Sequence, residues 1–159
     1  MMHKLKEEGM LGKRNIHFFI AVIGVIILDR LTKFLAFKYL TEPVDITSWF
    51  SLYFTTNTGA AFGILKGKTF ILTIISVLFI VLIFYKLKEI INENYFWAAA
   101  LILGGAVSNL YDRIFYGFVI DFVGVENFSV FNMADSAITI GAVALFIYMM
   151  IDYRKYNKK

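Results

Sequence analysis

Cysteine is absent from this chain of 159 residues, and its two histidines, His3 and His17, both lie near the N-terminus. Without cysteine there is no disulfide scaffold, no thiol nucleophile and no thiolate metal site. Two histidines at one end leave no basis for a histidine-built metal centre or a Ser–His relay. Proline occurs once, and no internal repeat, low-complexity tract or linker interrupts the chain. No basic stripe lies on a soluble face, so nucleic acid is not an expected partner. Whatever chemistry the protein performs must come from Asp, Glu, Asn, Ser, Thr, Lys or Arg.

Apolar surface is what the chain has in excess. Hydrophobic residues make up 59% and aromatics 18%, and the mean hydropathy is +0.69. A soluble domain of this length cannot bury that much. The chain therefore reads as one integral membrane domain, residues 1–159. Four apolar segments are visible, at about 16–39, 69–85, 95–111 and 137–153. A helix needs about 20 residues to cross a hydrocarbon core about 30 Å thick. The third segment is therefore long enough only if its helix continues through Asp112 and Arg113.

Charge orients these spans. Lys4, Lys6, Lys13 and Arg14 precede the first, Lys86 and Lys88 separate the second from the third, and Arg154, Lys155, Lys158 and Lys159 follow the fourth. With four spans all ten fall on one side, which the positive-inside rule makes cytoplasmic, together with both termini. Loops 40–68 and 112–136 then face outward. The first apolar run lacks a small-residue cleavage site, carrying Leu28-Asp29-Arg30 there, so it is expected to be a retained span. The expected fold is an all-α bundle of four transmembrane helices, with a small β-containing segment in the first outer loop. That segment is the aromatic, glycine-free run Ile46–Thr55, a short strand or hairpin whose Trp49 and Tyr53 suit the headgroup layer.

The polar residues gather at the outer ends of the spans, where ionisable groups are costly and often functional. Asp29 and Lys33, four apart, share a helix face and read either as a self-neutralising pair or as a grip on substrate or lipid. Asn57-Thr58-Gly59 marks a turn, with small residues that allow close backbone approach. Gly104, Gly105 and Ala106 permit tight helix packing. Asn109, Asp112 and Arg113 line one face beyond them, as structural glue or as a grip on a carbonyl or phosphate. Asp121 interrupts the apolar run Val119-Ile120-Asp121-Phe122. Asp135 follows Phe131-Asn132-Met133-Ala134, and also suits a helix N-cap. If the fold brings Asp121 and Asp135 together in a partly desolvated site, one pKa rises and the pair offers one base and one acid. That is how aspartic peptidases activate water and protonate a leaving amine.

These blocks, in this order, resemble lipoprotein signal peptidase (signal peptidase II), a family of bacterial membrane aspartic peptidases. The resemblance rests on Asp29 to Lys33, Asn57 to Phe62, Gly104 to Arg113, Val119 to Phe122 and Phe131 to Asp135. It implies an endopeptidase that removes signal peptides from prolipoproteins on the amino side of a diacylglyceryl-modified cysteine. It also implies a reaction at the outer face of the bacterial plasma membrane, with no metal or cofactor. It implies Asp121 and Asp135 as the catalytic pair, supported by Asp29, Lys33, Asn57, Gly59, Asn109, Asp112, Arg113 and Asn132. It further implies a monomer working among membrane lipids and inhibited by the cyclic peptide globomycin. Two departures stand out: only thirteen residues separate Asp121 from Asp135, fewer than in several members, and Arg30 follows Asp29 where Gln is commoner.

At the start of span four, Asp135 would be favoured in its ionised form by the helix N-terminus, leaving Asp121 to carry the proton. The rival reading is a small ion-coupled transporter with Asp29, Lys33, Asp112 and Arg113 as its relay. A third is a non-catalytic membrane assembly factor that docks through loop 40–68.

Overall fold

The computed structural model describes residues 2–60 and 64–157, with side chains from residue 12 onward. Ala61, Phe62 and Gly63 of the Asn57 block, Lys158, Lys159, and the side chains of His3, Lys4 and Lys6 lie outside the described residues. The elements follow in the order α1 (Met2–Tyr39), β1 (Val44–Thr47), β2 (Phe50–Asn57), α2 (Thr69–Tyr85), α3 (Leu87–Asn92), α4 (Phe96–Phe115), β3 (Val119–Val125) and α5 (Met133–Tyr156).

Each expected apolar segment falls on a helix. α1 continues unbroken through Asp29, Arg30 and Lys33 because nothing in that stretch stops it. It ends just before Glu42-Pro43, where proline disfavours a helical predecessor. α4 does run on through Asp112 and Arg113, which lie in its last turns. Among the described residues one helix, Met133–Tyr156, is long and apolar enough to cross a membrane on those criteria alone, and Thr69–Tyr85 is apolar but 17 residues long. α4 is the central element, packed on α1, α2 and α5.

The bundle has an apolar end and a polar end. At the first, Phe18, Val22, Ile83, Ile91, Phe96, Ala100 and Leu103 form the buried core. At the second, buried polar residues gather: Asp29, Lys33, Ser108, Asn109, Asp112, Asp121 and Asn132. The outside is inverted relative to a water-soluble protein: Ile20, Ile27, Phe70, Leu78, Ile140 and Phe146 are all exposed. Apolar residues outward and ionic residues inward are what a hydrocarbon solvent selects.

The sheet is larger than the sequence suggests. β1 and β2 form the expected hairpin, turning at Ser48-Trp49, but a third strand, β3, joins from the segment between α4 and α5 in the order β1-β2-β3. All pairings are antiparallel, with Thr55 opposite Asp121 and Asn57 opposite Val119. The β segment therefore does not belong to loop 40–68 alone, contrary to the expectation from sequence. Val119–Val125 carries a carboxylate and a glycine, which weaken a strand signal when pairing partners are unseen.

Candidate active site

Three features of local structure bring Asp121 and Asp135 to one place. Alternation along β3 turns Val119 and Asp121 to one face and Ile120 to the other. Beyond β3 the chain reverses at Glu126–Ser129, with Asn127 in the left-handed region (φ 60°) and Phe128 N–H donating to Val125 O at 3.0 Å. Phe131 then bridges back to Val123, its carbonyl accepting from Phe122 and Val123. The thirteen-residue interval is thus a compact hairpin-like return that sets Asn132 beside Asp121.

Asn132 joins the two acids. Its side-chain amide donates to Asp121 Oδ1 at 2.7 Å, and its side-chain oxygen accepts from Asp135 N at 2.9 Å. Asp135 Oδ2 accepts from Asn132 N at 3.2 Å, completing a capping box at the start of α5. Asn132, not Asp135, is therefore the N-cap, and Asp135 stands three positions in. The other oxygen of Asp135 accepts from Asn109 Nδ2 at 2.8 Å. The other oxygen of Asp121 accepts from Asn57 Nδ2 at 3.0 Å, across the diagonal of the β2–β3 pair. Asn57 spends its own carbonyl on Gly59 N–H at 2.8 Å. A Cβ on Gly59 would come within 2.8 Å of Ile64 O, so only glycine fits that turn.

Both acids line a cavity of about 520 Å³, together with the polar Asn57, Gly59 and Arg113 and the apolar Phe128, Val130, Ile138 and Ile140. A mostly apolar cleft with a few convergent polar groups is the usual form of a binding site. Arg113 donates to Gly59 O at 3.5 Å and lies within electrostatic range of Asp135 and Asp121. It does not pair with its neighbour Asp112. Asp121 is pushed up to about 6, by burial first and by the Asp135 carboxylate second; donation from Asn57 and Asn132 and the Lys33 charge pull the other way without cancelling this.

Behind the cavity lies a buried ion cluster. Lys33 Nζ reaches Asp29 Oδ2 at 2.8 Å, Asp112 Oδ2 at 2.8 Å and Asn109 Oδ1 at 2.9 Å. Arg30 bridges the same two carboxylates, to Asp112 Oδ1 at 2.6 Å and Asp29 Oδ2 at 3.1 Å. Ser108 Oγ donates to Asp29 Oδ2 at 2.6 Å. All ten residues singled out from the sequence thus meet in one continuous network. Sequence reasoning missed Arg30 as a member and Ser108 beside it. The i, i+1 step from Asp29 to Arg30 gives no cue, because the partner Asp112 lies 82 positions away.

Comparison with known proteins follows the same line. Residues 21–151 match the family model described as signal peptidase (SPase) II. The lipoprotein signal peptidase of Halalkalibacterium halodurans is 40% identical over 151 residues, covering 89% of this chain and 97% of that protein. That of Caldanaerobacter subterraneus subsp. tengcongensis is 45% identical over 138 residues, covering 83% and 94%. Two solved structures of bacterial membrane enzymes, determined by the in meso method at 2.3 Å and 1.9 Å resolution, superpose with TM-scores of 0.80 and 0.74. They are 28% and 27% identical; the matches cover 90% and 84% of this chain and 92% of each of theirs.

Proposed function

The chain belongs to the signal peptidase II family, and on that premise we propose that it is a membrane aspartic endopeptidase that cleaves the signal peptide from diacylglyceryl-modified prolipoproteins, with Asp121 and Asp135 as its catalytic pair. The observation that supports the assignment is the pair itself: two carboxylates lining one cavity, bridged by Asn132 and each accepting from a separate amide donor.

The reaction follows from their surroundings. Asp121, raised by burial and by the neighbouring carboxylate, holds the proton. Burial pushes the Asp135 carboxyl up as well, but its two N–H donors and its place at a helix N-terminus favour the ionised form, and we assign it that state. Asp135 takes a proton from a water whose oxygen attacks the scissile carbonyl, while Asp121 gives its proton to the carbonyl oxygen. The tetrahedral intermediate collapses as the leaving nitrogen takes a proton from Asp135 and the C–N bond breaks. The products are a new carboxyl terminus on the signal peptide and a free α-amino group on the lipidated cysteine. Collapse returns a hydroxyl proton to Asp121, restoring the starting state.

We further infer four spans, with both termini cytoplasmic and the cavity opening at the outer face of the plasma membrane. The support is the charge distribution and the apolar outside of α1, α2, α4 and α5. At that depth a signal helix and diacylglyceryl chains held in the bilayer bring the scissile bond level with the dyad. One chain carries both aspartates, so a monomer suffices. A globomycin-type cyclic peptide would compete for the same cavity. The ion-coupled transporter reading loses its relay, because Asp29, Lys33 and Asp112 are spent on one another, on Arg30 and on backbone amides.

The test is a gel-shift cleavage assay with purified protein and a lipidated prolipoprotein. Cleavage by the parent, blocked by globomycin and reduced at least a thousandfold in Asp121→Asn and in Asp135→Asn, is the expected result. Near-normal cleavage in either variant would sink the dyad. Equal turnover of unlipidated precursor would sink the lipid-anchoring argument.

A further inference from the structure

Each candidate catalytic aspartate is preceded by a residue whose backbone N–H is held by a buried carboxylate. Ile120 N donates to Asp112 Oδ2 at 3.2 Å, and Ala134 N donates to Asp29 Oδ1 at 2.9 Å. The two holding carboxylates come from different helices, α4 and α1. Their relative position therefore fixes the approach of β3 to α5, and with it the spacing of Asp121 and Asp135.

Lys33 ties the two carboxylates through one ammonium, which balances only one of their two charges. Arg30 supplies the second cation and a second tie. Its Nη1 and Nη2 take one carboxylate each, its Nε donates to Ser108 Oγ at 3.1 Å, and its guanidinium lies 4.9 Å from the centre of the Tyr111 ring. The planar fork bridges two acceptors as a point charge cannot. Arg30 does not line the 520 Å³ cavity. It faces a separate one of about 270 Å³ on the opposite side of β3, with Phe34, Phe54 and Tyr116.

Resting on the aspartic-peptidase reading, we propose that Arg30 is a positioning residue: by cross-linking Asp29 and Asp112 from behind, it sets the separation and the electrostatic balance of the Asp121–Asp135 pair without touching substrate. The charged and titratable groups facing Arg30 are Asp29 and Lys33 on α1, Tyr111 and Asp112 on α4, and Tyr116 beyond it. Those around the pair are Asp29, Lys33, Asp112 and Arg113. Removing the Arg30 charge takes the cluster of two acids and two bases from neutral to −1. That makes a proton on the pair harder to remove.

The experiment compares Arg30→Met, Arg30→Gln and Arg30→Lys by full pH profiles on lipidated prolipoprotein, using active-site titration to count folded enzyme. The neutral variants are expected to lose tenfold or more in kcat with KM within twofold, since a small misplacement of reacting groups is costly. The high-pH limb of kcat/KM should move up by about half a pH unit. Arg30→Lys keeps the charge and loses the fork, so its limb should stay in place while kcat falls several-fold. A merely structural defect lowers the active fraction and leaves the limb unmoved. Parent-like kcat in Arg30→Lys together with an unmoved limb in either neutral variant overturns the proposal. If the neutral variants do not fold, parent-like kcat in Arg30→Lys alone overturns it. Failure of the peptidase reading is a separate result: the parent itself would not cleave, or Asp121→Asn would.

Discussion

Asp121 accepts from two side-chain amides and still binds its proton with an affinity near pH 6, because burial and the Asp135 carboxylate outweigh those donors. Above that pH Asp121 is ionised and, on the proposed mechanism, no longer has a proton for the carbonyl oxygen. The free enzyme should therefore lose kcat/KM as pH rises through about 6, and substrate, by deepening burial, should carry the limb of kcat to higher pH. A kcat/KM flat between pH 5 and 8 would put the proton elsewhere. The same shift has a stability consequence of known sign. From the unfolded value of 3.8 to about 6 the folded state binds the proton more tightly, so folding stability falls as pH rises across that window, by about 3 kcal/mol at most. Lys33 is a buried charge whose three donors are all spent on Asp29, Asp112 and Asn109. Lys33→Met leaves two buried carboxylates to share the single Arg30 cation and should destabilise the protein by about 3–5 kcal/mol in detergent unfolding. A loss below 1 kcal/mol would mean that water or Arg30 compensates.

Among the elements, the contact that matters most for the site is α4 against α5. A Cβ on Gly105 would stand 2.4 Å from Ala134 O, on the turn that carries Asp135. That oxygen is backbone and cannot swing aside, so the helices must separate. Gly105→Ala should cost about 1–3 kcal/mol and lower kcat more than it raises KM, because it displaces Asp135 directly. Parent-like kinetics would show that α5 shifts without moving the acid. Sequence patterns made this contact half legible: Gly104-Gly105-Ala106 announces a close approach but not its partner. The four longer helices were legible from apolar run lengths, and the ten candidate site residues from polar blocks near the outer ends of the spans and in the loops, together with the family resemblance those blocks carry. Two things were not. β3 needs β2 beside it before Val119–Val125 reads as a strand. Arg30 shows no partner beyond its neighbour Asp29 until the fold brings Asp112 and Ser108 to it. Both depend on pairings more than sixty residues apart, which no local periodicity encodes.

Over the whole molecule, charge and polarity run along one axis. The apolar core around Phe18, Phe96 and Leu103 occupies one end, and the buried ion cluster, the sheet and the cavity occupy the other. Most basic residues lie in flanks next to the first end. If lipid surrounds the helices, the positive-inside rule directs those flanks to the cytoplasm and the sheet outward. The absence of cysteine makes this directly measurable, since any single cysteine introduced is the only thiol in the chain. Ser48 at the β1–β2 turn and Glu126 after β3 are exposed at the sheet end, whereas Lys88 on α3 and Lys155 near the end of α5 are exposed at the other. In intact cells stripped of outer barriers, a membrane-impermeant maleimide should label Ser48→Cys and Glu126→Cys, and should label Lys88→Cys and Lys155→Cys only after lysis. Labelling of Lys88→Cys without lysis would overturn the four-span reading. It would also remove the reason for the dyad's depth: a scissile bond held by a membrane-embedded signal helix meets Asp121 and Asp135 only if the sheet end sits at the outer surface.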